Sequence, residues 1–281
     1  MSISIAHLGP TGTFSEFAAA AYKNSLSDSS AQLRAYSTIA QAIQATAQGK
    51  TQFCVVPIEN SIGGGVTLTL DTLWQVKDLQ IQQAFTLPVQ HALMSQASSL
   101  EDIKTVYSHP QALAQCRDWL SQNLPDAQLV RTSSTAEPLP KLKVDRNAGA
   151  IASKWGAKIY NLPVLAHPIN DYADNFTRFW VLGKQPSTGG QYTSLAFSLR
   201  TNEPGALLKP LQLFSALNIN LSRIESRPTK RLLGEYIFFV DVEASAQEQT
   251  MHTALEVLNL HTATLKIFGS YQLTELTEPA T

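Results

Sequence analysis

Short β-branched or alternating runs take turns along the first two-thirds of the chain with stretches whose apolar residues recur at helical spacing. Residues 2–8 form a β-like run ending at Gly9-Pro10, and an Ala-rich helical stretch over 17–22 follows the turn. Positions 39–48 read as a helix closed by Gly49, 52–56 as a strand stopped by Pro57, and 68–76 as a helix. Residues 85–94 are apolar and partly alternating, which predicts a strand. A strand at 105–107 feeds a helix over 110–120 with Pro110 in its first turn. A strand at 128–131, a strand and helix at 148–153 and 154–160, and a strand at 179–182 complete this part. The alternation predicts an α/β unit over residues 1–184.

Gln185-Pro186-Ser187-Thr188-Gly189-Gly190-Gln191 has Pro, two Gly and no large apolar residue, the composition of a linker. Beyond it, 193–199 alternates as a strand and Pro204-Gly205 opens a helix to about Leu217. Strands follow at 221–227 and 235–242, then a helix at 249–260 and a strand at 263–271. The order β-α-β-β-α-β is the split-βαβ, ferredoxin-like arrangement. Tyr236, Phe238, Val240 and Val242 share one face of their strand, while Ile237 and Phe239 fall on the other. That second face, or an edge, is therefore expected to meet a second subunit. Pro210 falls inside the expected helix, where its ring crowds the Ala206 carbonyl and predicts a kink. Residues 273–281 read as a loose tail.

An apolar content of 44% supports ordinary cores, and 281 residues fit about two domains. The formal net charge is −1, from 21 Lys and Arg against 22 Asp and Glu. No global basic field draws the chain to nucleic acid or an anionic membrane, so an anionic ligand needs a local site. Cys54 and Cys116 stand in no metal or redox spacing and read as buried thiols in a reducing compartment. No signal peptide and no run of about 20 apolar residues is visible.

Five strings could carry chemistry. Gly9-Pro10-Thr11-Gly12-Thr13-Phe14-Ser15-Glu16 joins a strand to a helix and offers amides to an anion, or is only a tight turn; it is neither a P-loop nor a dinucleotide fingerprint. Pro57-Ile58-Glu59-Asn60-Ser61 precedes Gly63-Gly64-Gly65, where backbone can approach a ligand. Tyr107-Ser108-His109-Pro110 feeds the helix carrying Gln115, with Ser108 placed to cap it. Thr132-Ser133-Ser134-Thr135 is a hydroxyl cluster fit for capping or for a polar substrate. Asn175-Phe176-Thr177-Arg178-Phe179 sets a fork donor beside a hydroxyl, with Asp171 or Asp174 as alternative partners for the arginine.

Together, and in this order, Gly-Pro-x-Gly-Thr-Phe-Ser-Glu, Pro-Ile-Glu-Asn-Ser, Ser-His-Pro-Gln-Ala-Leu-Ala-Gln-Cys, Ser-Ser-Thr-Ala and Asn-x-Thr-Arg-Phe resemble the prephenate dehydratases over about the whole chain. Gly205, Ala206, Leu207 and Leu208, with Glu225, Ser226, Arg227 and Pro228, look like the two phenylalanine-binding strings of that family's ACT domain. The resemblance implies a two-lobed catalytic domain like type II periplasmic binding proteins, with lobes of about 1–83 plus 175–184 and 84–174, and an ACT domain over 193–271. It implies conversion of prephenate to phenylpyruvate without metal or redox cofactor, inhibition by phenylalanine, and a cytoplasmic homodimer or homotetramer.

By resemblance Thr177 is the catalytic residue, read here as hydrogen-bond donor or relay to the leaving hydroxyl. Glu59 and His109 rank below it as proton sources. Arg178 and the amides at Gly12 and Thr13 are expected to hold carboxylates; Asn60, Ser61, Ser108, Gln115, Ser134, Thr135 and Phe179 are expected to complete the substrate site. Pro138-Leu139-Pro140 departs from the family's Ala-Ala and puts the helix after Thr135 in doubt. The competing readings are an arogenate dehydratase, running the same chemistry on the amino analogue, and a non-catalytic amino-acid sensor. A fused chorismate mutase is not expected, because the strings begin at Gly9.

Overall fold

The computed structural model describes residues 2–277. Its first part runs β1 (Ser4–Leu8), α1 (Phe14–Ser25), β2 (Gln32–Tyr36), α2 (Ile39–Ala47), β3 (Phe53–Asn60), β4 (Gly64–Gly65), α3 (Thr67–Gln75) and β5 (Gln80–Pro88). The chain then crosses into a second lobe with β6 (Ala92–Ser95), β7 (Thr105–Ser108), α4 (Pro110–Gln115), α5 (Arg117–Asn123), β8 (Gln128–Arg131), β9 (Ala148–Ala152), α6 (Lys154–Tyr160) and β10 (Val164–Ala166). It returns through β11 (Phe176–Gly183) to the first sheet, ordered β5-β11-β3-β1-β2 and extended beside β5 by the last strand, residues 273–275, while the second is ordered β10-β6-β9-β7-β8. The last part is β12 (Tyr192–Leu199), α7 (Leu208–Ala216), β13 (Leu221–Pro228), β14 (Tyr236–Val242), α8 (Gln249–His261), β15 (Thr262–Tyr271) and β16 (Leu273–Glu275). Its antiparallel sheet, β13-β14-β12-β15, has the strand order of a ferredoxin-like βαββαβ unit. The fold is thus mixed α/β, with two lobes and a C-terminal βαββαβ domain.

Local chemistry explains the helix starts. Thr13 and Thr38 accept from the amides of Glu16 and Gln41 to cap α1 and α2, and Ser153 caps α6 through Gly156. The helix expected over 110–120 breaks at Cys116, which leaves helical geometry. The Asp171 carboxylate then accepts from the amides of Asp118 and Trp119, both at 3.1 Å, and starts α5. The edge strand β2 escapes sequence reading because it is short and its side chains are mostly exposed.

Three expectations are corrected. The helix expected from Pro204 starts at Leu208, after a turn in which Gly205 takes φ +82°. Pro210 is therefore the third helical residue, in the first turn, where no intrahelical bond is lost and no kink follows. Residues 273–275 are not loose, since β16 pairs in parallel with β5; residues 278–281 lie outside the described part.

The third correction concerns Ile237 and Phe239. Their face of the third sheet is buried on the same chain, which leaves an edge as the place for a second subunit. Ile237, Phe239, Phe268 and Tyr271 share one core with Leu70, Leu73, Ile81 and Trp180 of the first lobe. Trp74 meets Phe239 edge-on at 6.4 Å, and Trp180 lies 6.3 and 6.2 Å from Phe268 and Tyr271. Lys266 Nζ donates to the Leu73 carbonyl at 2.6 Å and to that of Val76, so a cation caps the C-terminus of α3.

Candidate active site

Antiparallel pairing of β11 with β3 sets Thr177 directly opposite Asn60, although 117 positions separate them. Both line a cleft of about 500 Å³ between the lobes, together with Gln115, His109, His91, Gln111, Thr135 and the Gly63–Gly64–Gly65 backbone. Phe14, Ile39, Val66, Leu68 and Val89 supply apolar wall, and among the described residues no Lys or Arg lines it.

A hydrogen-bond chain fixes the polar groups. Asn60 Oδ1 accepts from the amides of Gly63 (2.7 Å) and Ile62 (3.2 Å), which orients its amide. Asn60 Nδ2 then donates to Asn175 Oδ1 (2.7 Å), Thr177 Oγ1 (3.0 Å) and the Phe176 carbonyl (3.1 Å). Because Thr177 Oγ1 is an acceptor there, its own proton remains available to the cleft. Asn175 Nδ2 donates to Gln115 Oε1 at 3.1 Å, and His91 Nε2 lies 2.9 Å from the same oxygen. Gly63 leaves room for these side chains, since a Cβ there would sit 2.5 Å from Gln111 Nε2 and 3.2 Å from Asn60 Oδ1 and would displace the Gln111 amide.

The strings expected to bind substrate divide in the structure. Asn60, Gln115, Thr135 and Thr177 converge on the cleft; Thr13, Ser61, Ser108, Ser134, Arg178 and Phe179 do not line it. The Thr13 hydroxyl caps α1, and the Gly12 amide donates to Glu16 Oε2 at 2.7 Å and so is already taken. The Gly12 carbonyl instead accepts from Ser153, tying the β1–α1 turn to the second lobe. Ser61 Oγ donates to the Asp174 carbonyl and accepts from the Phe176 amide, bracing the lobe crossing. Ser108 Oγ donates to the Ile151 carbonyl at 2.6 Å, and Ser134 accepts from the Glu137 amide. Phe179 is core, packed with Phe17, Phe85 and Leu87. The helix doubted after Thr135 is a 3₁₀ segment, Leu139–Lys143.

Arg178 points to the other side of its strand. Its Nη1 lies 3.2 Å from Asp241 Oδ2 in the third sheet, and its Nη2 lies 3.9 Å from Glu59. Arg223 joins the same group, 3.8 Å from Glu59 and 3.7 Å from Asp241, and bonds Glu225. Asp241 is fully buried and accepts from Ser194 Oγ at 2.6 Å; burial raises its pKa, opposed by the Arg223 and Arg178 charges. Glu59, considered as a proton source, is committed to this group and is not a cleft residue. His109 does line the cleft; its Nδ1 caps α4 through the Gln111 amide at 3.3 Å, and desolvation lowers its pKa.

The effector strings also divide. Gly205–Ala206–Leu207 forms the turn into α7. On β13, Glu225 and Arg227 turn toward the catalytic lobe, where Arg227 holds Asp71 of α3 at 2.9 and 3.2 Å, while Ser226 and Pro228 stay exposed. Sequence reading missed Asn175 and His91 as members of the site. Asn175 stands in a string whose chemistry points to Thr177 and Arg178, and His91 sits in an apolar run with no motif around it.

Two α/β lobes flanking a cleft that joins amide, hydroxyl and imidazole groups to an apolar wall, with a βαββαβ unit packed on the first lobe, define a two-lobed α/β protein carrying a ferredoxin-like domain. Residues 5–187 match the prephenate dehydratase family and residues 193–258 the ACT domain. The chain is 37% identical to the prephenate dehydratase of Lactococcus lactis subsp. cremoris, over 98% of this chain and all of that one. It is 41% identical to the bifunctional chorismate mutase/prephenate dehydratase of Aquifex aeolicus, over 96% of this chain and 73% of that protein. A prephenate dehydratase from Arthrobacter aurescens, solved in complex with L-Phe, superposes with a TM-score of 0.87 at 33% identity, covering 96% and 90% of the two chains. The chain belongs to the prephenate dehydratase family, hydro-lyases that decarboxylate and dehydrate prephenate, and it carries the ACT domain at its C-terminus.

Proposed function

We propose that residues 1–184 convert prephenate to phenylpyruvate in the interlobe cleft with Thr177 as the catalytic donor, and that residues 193–271 sense phenylalanine. The carrying observation is the 3.0 Å bond from Asn60 Nδ2 to Thr177 Oγ1, which leaves the hydroxyl proton to the substrate. As the ring C–CO₂ bond breaks, its electron pair enters the ring and the C–OH bond opposite breaks. The departing oxygen takes a proton, so carbon dioxide and water leave and the ring becomes aromatic. Thr177 donates the hydrogen bond that stabilises the leaving oxygen, and the proton follows from solvent or His109 through it. A departing carboxylate gains nothing from an ion pair that favours its ground state, and a wall of apolar side chains suits its loss. The other carboxylate fits the first-turn amides of Thr67 and Leu68, because Val66 offers α3 no side-chain cap, together with Thr135 and Gln111.

Regulation follows from what β13 touches. Arg223, Glu225 and Arg227 reach Glu59, which adjoins Asn60, Gly65, which precedes α3, and Asp71 in the middle of that helix. A ligand held by Gly205, Ala206, Leu207 and Leu208 and by Ser226 and Pro228 would move β13 and with it the cleft wall. β13 is an open edge carrying Ile224, 46% exposed, and a second copy completing the effector site along this edge accounts for a homodimer or homotetramer. Among the described residues no helix is long and apolar enough to cross a membrane, and the working compartment proposed is the cytoplasm. The test is phenylpyruvate formation from prephenate, and from arogenate for comparison, with rising phenylalanine. The proposal expects turnover of prephenate that falls as phenylalanine rises. A chain that binds phenylalanine without making phenylpyruvate would be a sensor, and a flat response would remove the regulatory role.

A further inference from the structure

We infer that His91, in the connection between β5 and β6, is a positioning residue for the dehydration, holding the Gln115 amide with its nitrogen toward the cleft. The inference rests on the functional reading above and adds a residue to it. The amide orientations propagate from a fixed end. The Gly63 and Ile62 amides make Asn60 Oδ1 an acceptor, so Asn60 Nδ2 donates to Asn175 Oδ1. Asn175 Nδ2 must then be the donor to Gln115 Oε1. With that oxygen on the inner side, the 2.9 Å contact to His91 requires the imidazole to donate from Nε2. Gln115 Oε1 thereby receives two donors, and its Nε2 hydrogens are left for a ligand in the cleft that Gln115 lines.

His91 is built to supply that one donor and nothing else. It is 3% exposed, its own amide donates to Asn170 Oδ1 at 2.6 Å, and its carbonyl accepts from the Ile169 amide at 3.0 Å. Phe14 of the opposite lobe packs edge-on at 5.8 Å. Nδ1 is buried without a hydrogen-bond partner, which is tolerable for a bare lone pair and costly for a protonated ring. Burial also lowers the ring's pKa, in keeping with a neutral Nε2–H tautomer. A histidine kept only for packing would have no need of an acceptor shared with Asn175.

The test uses the full chain and measures kcat and KM for prephenate with a thermal midpoint for each variant. His91→Leu keeps bulk and removes the donor; it should lower kcat by about 100-fold, the cost of a group displaced by about 1 Å, with a smaller change in KM. His91→Gln can present an amide nitrogen near the Nε2 position and should recover most of the loss, whereas the shorter His91→Asn should not. Because His91 acts through Gln115, the His91→Leu/Gln115→Ala double variant should be no slower than Gln115→Ala alone. Wild-type kcat in His91→Leu, or losses that multiply in the double variant, would overturn the inference. If His91→Leu does not fold, the Gln and Asn variants decide: equal rates for the two overturn it. A wild-type chain inactive on prephenate would instead defeat the functional reading itself.

Discussion

Replacing Thr177 by Val separates catalysis from stability more cleanly than any other single change in this cleft. Valine keeps the β-branched shape in a strand and removes only the hydroxyl. Asn60 Nδ2 retains Asn175 Oδ1 at 2.7 Å and the Phe176 carbonyl at 3.1 Å, so no buried donor is orphaned. The loss to folding is that of one neutral hydrogen bond, about 0.5–1.5 kcal/mol. For a chain of this size that lowers the thermal midpoint by only a few degrees, at about 2–4 °C per kcal/mol. The loss to the transition state is that of a positioned donor to a developing charge, about 2.7–4 kcal/mol, or about 100–1,000-fold in kcat. KM should move little, because the bond strengthens only as the C–O bond breaks. Thr177→Ser, which keeps the hydroxyl, should retain most of the turnover. The assay is phenylpyruvate formation at saturating prephenate, run beside a thermal melt. Near-normal kcat in Thr177→Val would remove the hydroxyl from the mechanism, and a collapse of the melt would show the residue to be structural.

Other consequences concern the domain junction and pH. Arg223→Gln withdraws a charge from the fully buried Asp241 and leaves it Arg178 and Ser194; stability should fall by about 3 kcal/mol in a melt, and phenylalanine inhibition should weaken. Gly65→Ala places a Cβ 1.9 Å from Glu225 Oε2, so the Glu225 carboxylate must swing away from its Arg223 partner; a dose–response curve for phenylalanine should shift while the melt changes modestly. His7 and His91 both have pKa values lowered by burial. The unfolded chain takes protons on these rings below about pH 6.5 and the folded protein does not until lower pH. Stability therefore falls as pH drops through that window, and a melt at pH 5.5 should lie below one at pH 7.5. A midpoint unchanged between them would mean these rings titrate alike in both states.

By itself the sequence determined the local and the ordered features of this protein. Strand and helix alternation gave the α/β half, the Pro- and Gly-rich linker at 185–191 marked the change of pattern, and β-α-β-β-α-β order gave the third sheet, because periodicity and turn chemistry act over a few residues. The long strings likewise pointed to the family, and with it to Thr177, Asn60 and Gln115. Tertiary structure decided which way side chains face and what covers a surface. Register between β3 and β11 put Thr177 against Asn60 and sent Arg178 and Glu59 to the other side, into a charge cluster with the ACT sheet. That cluster cannot be foreseen locally, since its members come from four strands in two domains. The same holds for Ile237 and Phe239, whose apolar face is real but is covered by Trp74 and Trp180 of the same chain. His91 became legible only when Gln115 and Asn175 converged on it, because a hydrogen bond between residues 24 positions apart leaves no spacing to read.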